Sequence, residues 1–322
     1  MPRESPSARA HGTSRSSNAE PLAIWALIAL VAACVVATYA RLPTSELYHV
    51  SRNGAVGGFS RALVLIDFPF ALVAVALALI AFDSLRTRVA AVVALGSVLL
   101  SAAVAWPGVV DQADLDARAV NVVPALGVVL ALALTVWSAR VAVPAFARRL
   151  PLDIARIVVA TGLITASLPW LFAEAGFSIS SVPGLDRVFL GGQIRASGGG
   201  ETLQVVHLGH HHGADGLYLV LSALLLSRVL VRLGRIRPLV SAYLALMLAY
   251  GFANIVQDFW TEQVVKRGWA KREIPSLLHP SLSLGWAAIL LLATCVELGA
   301  FRWERRHALQ KEEARFGAGF FA

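Results

Sequence analysis

Histidines are the residues of this sequence whose positions most suggest chemistry. Four of the eight lie within the stretch 207–212, which reads His-Leu-Gly-His-His-His and comes just before an apolar stretch. Imidazole is the commonest protein ligand for zinc and related divalent metals, and it needs no deprotonation near neutral pH. A metal site is therefore the first chemical hypothesis for this stretch, hereafter the histidine stretch.

A helix over residues 204–216 would bring three ligand groups together. His207, His211 and Asp215 are spaced four residues apart, and residues with that spacing share one face of a helix. Two imidazoles and a carboxylate can coordinate zinc or another divalent transition metal, with an open position left for water. The sequence thus predicts a divalent transition metal such as zinc as a cofactor, with these three residues as its ligands.

Gly209, Gly213 and Gly216 leave other arrangements open. Each glycine in a helix costs about 0.8–1.0 kcal/mol relative to alanine, so a loop could instead direct His207, His210 and His212 at one ion. The stretch could also be a polar or pH-sensing loop with its imidazoles hydrogen-bonded to the backbone or to lipid headgroups. Haem ligation is a third explanation, although no pair of histidines in mid-membrane is evident.

Two further histidines and two acids could complete a site. His49 lies between the first and the second apolar stretch, and His279 precedes the last apolar stretch. Asp67 and Asp258 lie inside apolar stretches, where carboxylates are rare and suggest function by default. Either acid could serve as a general base. The alternative is an ion pair with an interfacial base such as Arg61 or Lys266.

The elements that must position these residues are membrane spans. Hydrophobic residues make up 57% of the 322 residues, charged residues only 15%, and the mean hydropathy is +0.68. The apolar residues occur in blocks of about 18 or more, which is the length a bilayer core of about 30 Å requires. The sequence therefore predicts an all-α, polytopic transmembrane helical bundle of about eight spans. The spans are expected near 21–40, 62–82, 89–106, 119–139, 157–174, 217–233, 240–258 and 281–299.

Three segments follow from this pattern. Residues 1–20 are expected to form a disordered cytoplasmic tail, residues 21–300 the transmembrane domain of eight helices, and residues 301–322 a second cytoplasmic tail. The first apolar block is longer than the usual 7–15 residues of a signal peptide core, so an uncleaved anchor is expected.

The distribution of basic residues predicts the orientation. With the amino terminus inside, the inner segments hold 18 of the 28 Lys and Arg residues and the outer segments hold 10. This bias favours both termini in the cytoplasm and a place in the plasma membrane. Six of the eight histidines then share the outer face. They are His49, His207, His210, His211, His212 and His279.

The charge distribution argues against a nucleic-acid partner, and the cysteine positions argue against a disulfide. The net charge of +8 is spread in short clusters between apolar blocks, so the lipid bilayer is the expected partner and nucleic acid is not. Cys34 and Cys295 fall in opposite halves of the predicted membrane thickness, too far apart for a disulfide.

Three functions remain open on these grounds. The first is a metal-dependent enzyme that modifies lipid at the outer face. The second is an ion- or proton-coupled transporter, in which Asp67, Asp258 and the histidines would form a polar path. The third is a non-catalytic membrane scaffold. A transporter needs polar residues toward both faces, whereas here they gather at one face, which favours the first.

Overall fold

The computed structural model describes residues 19–41, 51–106, 108–109, 116–141, 146, 149–174, 194–196, 202–204, 212–265, 268–308 and 310. Eight helical segments run through this part of the chain, and each coincides with one predicted span. They are α1 (Ala19–Arg41), α2 (Gly54–Leu85), α3 (Arg88–Ala105), α4 (Ala119–Val141), α5 (Asp153–Glu174), α6 (His212–Leu226, continued by the 3-10 turn Ser227–Val231), α7 (Arg237–Val265) and α8 (Leu284–Ala308).

The predicted membrane class and fold are confirmed. Seven of the helical segments are long and apolar enough to cross a bilayer over their described residues. Large apolar side chains on the outside of the bundle remain exposed, including Val92 (71%), Ile157 (65%) and Leu291 (67%). Exposed aliphatic rows of this kind suit a bundle that is solvated by lipid.

Successive helices run in opposite directions, which gives the bundle two ends. We call the loop end the one at which α1, α3, α5 and α7 finish, and the basic end the opposite one. At the loop end, a short antiparallel ribbon joins β1 (Ile194–Ala196) to β2 (Thr202–Gln204), with Arg195 opposite Leu203.

Helix α2 lies at the centre of the bundle. In its most apolar 18-residue window 78% of the residues are buried, against 28% for α3 and 11% for α8. Its residues belong to two hydrophobic clusters, one shared with α1, α6, α7 and α8 and one rich in alanine shared with α3 and α4. A carboxylate on α2 is therefore carried into the middle of the protein.

Glycines set the closest helix contacts. A Cβ on Gly216 of α6 would stand 2.5 Å from the Gly251 carbonyl oxygen of α7, and a Cβ on Gly251 would stand 2.6 Å from the Gly216 oxygen. A Cβ on Gly127 of α4 would stand 2.5 Å from the backbone nitrogen of Ser101 on α3. Small residues let membrane helices approach closely, and that approach provides the packing that holds them together.

A buried ion-pair cluster ties four helices together at the basic end. Arg156 of α5 pairs with Glu304 of α8 (2.5 Å) and with Asp153 (3.1 Å). Arg228 of α6 also pairs with Asp153 (2.5 Å) and lies 3.5 Å from Glu20 of α1. Burial raises the pKa of Asp153, but the Leu150 amide, Arg228 and Arg156 outweigh it and hold that pKa below its ordinary value.

Both cysteines are free, as expected. Cys34 on α1 and Cys295 on α8 are exposed and unpaired.

Candidate functional site

The structure tests only part of the histidine stretch. His49, His207, His210 and His211 lie outside the described residues, and α6 begins at His212. Gln204 is the last residue of strand β2, so the prediction of a helix over all of 204–216 is wrong at its first residue. Residues 202–204 pair as a strand, whereas residues 212–216 are helical, with Gly213 and Gly216 inside α6.

Asp258 of α7 accepts a hydrogen bond from the first turn of α6. Its carboxylate oxygen Oδ2 accepts a hydrogen bond of 2.5 Å from the Gly213 backbone N–H, and its side chain is almost fully buried. A negative charge is favourable beside the unpaired N–H groups at a helix amino terminus. Gly251, Asn254 and Asp258 lie on one face of α7, and this face packs against the first turns of α6. The acid therefore holds in place the residues that directly follow the histidine stretch.

Asp215, one turn into α6, lies at an apolar cavity of about 360 Å³. We call this the tail cavity. It is bounded by α1, α2, α5 and α6, and its walls are almost wholly apolar. The lining residues used below are Cys34, Asp215, Leu217 and Tyr218.

One wall of the tail cavity carries a buried hydroxyl. Tyr218 packs edge-on against Phe70, with ring centroids 4.8 Å apart. Its hydroxyl is buried, and the Ser222 side chain lies beside it, one turn further along α6. A hydroxyl can both donate and accept, so this group can also form a hydrogen bond with a ligand.

Asp67 lies deep in the bundle, in a π-helical turn of α2 that spans Ile66–Phe70 and includes Pro69. The side chain is fully buried. It forms no ion pair with Arg61, which was the alternative explanation for its presence. The side chain of Asn121, at the start of α4, lies beside it. Single π-helical turns inside α-helices occur frequently at functional sites.

His279 lines a second and smaller cavity at the loop end. This aromatic cavity has a volume of about 210 Å³ and lies between α2, the end of α3, α7 and the start of α8. Tyr250 and Trp286 are stacked with centroids 5.5 Å apart, and Phe68 meets Tyr250 edge-on at 6.5 Å. The cavity was not predicted, because its rings come from three different helices.

The segment that carries His279 is held against α7 by side chains. The Tyr250 hydroxyl donates to the Leu278 carbonyl (2.9 Å), and the Trp260 indole N–H donates to the Arg272 carbonyl (2.7 Å). Between them, the Gln257 amide bridges the backbone of the same segment at 3.4 Å. His279 is exposed, yet its backbone is fixed over the aromatic cavity.

The predicted site residues are thus distributed among separate places. Asp215 and His279 line different cavities, whereas Asp67 and Asp258 line neither of the two. Within the described ranges, no three His, Cys, Asp or Glu side chains are grouped so that they could hold a metal ion. The catalytic assignment of Asp67 and Asp258 and the metal assignment of the histidine stretch remain predictions.

Sequence reasoning missed the two cavities and the function of the glycines. Gly216 directly follows Asp215 at a predicted outer span end, whereas Gly251 lies inside the predicted span 240–258, and no local pattern indicates that the two glycines meet. Comparison with protein-family models, with curated proteins and with solved structures finds no match for this chain.

Proposed function

We propose that this membrane protein binds a lipid with its chain in the tail cavity and acts on the headgroup at the histidine stretch. The observation that carries the proposal is the position of Asp215. It lies three residues after the last histidine and at the tail cavity. A ligand seated there would have its apolar part inside the bundle and its polar part beside the histidines.

The size and chemistry of the tail cavity fit one alkyl chain. Ligand pockets are typically about 300–1,000 Å³ and mainly apolar, with a few polar groups that set orientation. The tail cavity lies at the lower end of this range. Asp215 and the Tyr218 hydroxyl supply the polar groups, and both can contact a headgroup or the first polar atoms of a chain.

The proposed reaction is hydrolysis or group transfer at the headgroup, assisted by a divalent metal. A zinc ion held by His207, His210 or His211 together with Asp215 would supply an activated water. Asp258 is the better placed of the two predicted bases, because it already contacts the first turn of α6. Besides acting as a base, Asp258 would position the histidine stretch through this contact.

We further propose that the loop end faces the outside of the plasma membrane. The basic end has the arginines of the ion-pair cluster, which suits the cytoplasmic side. Reporter domains fused after Ala322 and within residues 175–193 should report opposite sides. Reporter activity on the outer side from the fusion after Ala322 would contradict this orientation.

The tail cavity can be tested through its own cysteine. Cys34 lines it, and Cys295 is an equally free and exposed cysteine on α8 that does not. Variants Cys295→Ser and Cys34→Ser each leave one thiol for alkylation by an apolar maleimide in detergent. Added phosphatidylglycerol or a single-chain lysolipid should slow alkylation of Cys34 several-fold and leave Cys295 unaffected.

Two outcomes of this experiment would contradict the proposal. Equal protection of both cysteines would mean that lipid only coats the surface of the protein. No protection of either at saturating lipid would mean that the tail cavity does not take a chain. A Leu217→Trp variant, which fills the cavity, should lose the protection while both thiols remain reactive.

Proton-coupled transport is a second candidate, and Asp67 is the observation that favours it. A fully buried carboxylate whose neighbouring polar side chain, Asn121, carries no charge is expensive and can exchange a proton. In proteoliposomes, an Asp67→Asn variant should then abolish proton flux driven by a gradient. Unchanged flux, or none with the parent protein, removes this candidate.

A further inference from the structure

The aromatic cavity has features that an alkyl chain would not require. Its 210 Å³ is below the usual range for drug-sized ligands and suits a single ring-sized group. It lies at the loop end and uses none of the residues that line the tail cavity. Ligand binding at the aromatic cavity is therefore independent of the proposed function.

The walls of the aromatic cavity present flat surfaces. Tyr250 and Trp286 stack with an interplanar angle of 28°, and Phe68 stands at 79° to Tyr250. Tyr243 completes the aromatic lining. Aromatic rings pair favourably in offset-stacked and edge-to-face arrangements, so a planar ring gains more here than a flexible chain does.

The two tyrosine hydroxyls of the aromatic cavity already donate hydrogen bonds, whereas the buried indole N–H of Trp286 donates none within the described part of the chain. The Tyr243 hydroxyl donates to the Leu72 carbonyl (2.6 Å) and the Tyr250 hydroxyl to the Leu278 carbonyl (2.9 Å). The Trp286 indole N–H is buried and has no acceptor among the described residues. A buried donor without an acceptor is costly, and a ligand oxygen would satisfy it.

His279 offers a second hydrogen bond at the mouth of the cavity. This residue is exposed, and its segment is fixed by the Tyr250 and Trp260 contacts to α7. A neutral imidazole can donate from one nitrogen and accept at the other. The site thus combines a donor inside, a donor at the mouth and flat apolar walls between them.

We propose that the aromatic cavity binds the ring of a membrane-borne quinone. Such a ring is planar and has a carbonyl oxygen at each of two opposite edges. One oxygen accepts from the Trp286 indole N–H and the other from His279, while the ring lies against Tyr250 and Phe68. An isoprenoid tail would extend from the mouth into the surrounding lipid.

The test is equilibrium binding of a short-chain quinone to the full-length protein in quinone-free nanodiscs. Decylubiquinone is titrated by calorimetry, with n-decanol as an apolar competitor of similar chain length. Trp286→Phe keeps a ring but removes the N–H, and should weaken binding about tenfold, the value of one net hydrogen bond. His279→Ala should have a similar effect, and Leu246→Trp, which fills the cavity, should abolish binding.

Trp269→Phe provides the matched control, because Trp269 is 72% exposed and does not line the aromatic cavity. Its dissociation constant should equal that of the parent protein. Absence of saturable binding by the parent protein would overturn the proposal. So would equal affinity of the Trp286→Phe and Trp269→Phe variants, or displacement of the quinone by n-decanol at the same concentration. If Leu246→Trp does not fold, the comparison of Trp286→Phe with Trp269→Phe still tests whether the quinone binds in the aromatic cavity.

Discussion

Replacement of Gly216 by alanine should destabilise the protein strongly, although it adds only one methyl group. The added methyl group would stand 2.5 Å from the Gly251 carbonyl oxygen and 3.2 Å from the Asn254 Cβ. Because the first of these contacts is with backbone, no side chain can rotate away to relieve it. Helices α6 and α7 would have to separate by about 0.9 Å to restore an ordinary contact.

The expected cost is about 1–3 kcal/mol, the usual range for an overpacked interior contact. Separation of the helices would also lengthen the hydrogen bond between Asp258 and the Gly213 N–H, which is 2.5 Å in the parent protein. The assay is reversible unfolding in mixed dodecylmaltoside and SDS micelles, followed by far-ultraviolet circular dichroism. Gly162→Ala is the control, because nothing lies within 4 Å of the added methyl group. It should be neutral or stabilise the protein by up to about 1 kcal/mol.

A double variant tests the same contact from both sides. Gly251→Ala should cost about as much as Gly216→Ala, since each methyl group meets the backbone oxygen of the other glycine. Once one substitution has separated the helices, the second meets less resistance, so the double variant should cost less than the sum. Equal unfolding free energies for Gly216→Ala and Gly162→Ala would refute the close approach of α6 and α7.

Three further outcomes follow from the ends of the bundle. Glu304→Gln should cost about 3 kcal/mol of unfolding free energy, because it removes the negative charge from a buried pair with Arg156. Arg302→Gln, which removes an exposed ion pair with Glu297, should cost less than about 1 kcal/mol. The pKa of Asp153 is lower in the folded than in the unfolded protein, so its contribution is present above about pH 4 and is lost as the pH falls through the folded value. Unfolding of the parent protein between pH 3 and 7 should show this loss, and Asp153→Asn should remove it. Asp258→Ala should speed hydrogen exchange of the first amides of α6, and unchanged exchange would contradict its role at that helix end.

The spans could be predicted from the sequence because each is a local property. A block such as 119–139 has to be a helix in a bilayer whatever it packs against, and α4 covers Ala119–Val141. The predicted ends of the spans were less exact than their positions. Helix α1 begins at Ala19 and α8 continues to Ala308, since Glu20 and Glu304 are drawn into the ion-pair cluster.

The contacts between distant residues could not be predicted in the same way. Asp258 meets Gly213 across 45 residues, and no local pattern indicates that pairing. The glycines near the histidine stretch were interpreted as helix breakers, yet Gly216 lies inside α6 and serves close packing. Helix propensity describes an isolated helix, and tertiary packing overrides it at such positions.

Elemental analysis of the purified protein distinguishes a metal-dependent function from a polar loop at the loop end. We expect about one zinc or similar divalent ion per chain, since two imidazoles and a carboxylate can hold it. His211→Ala should remove most of this metal. His307→Ala should not, because His307 lies at the basic end, where it contacts the Trp303 carbonyl. No metal in the parent protein, or equal metal in the parent and both variants, would contradict the proposed metal-dependent function.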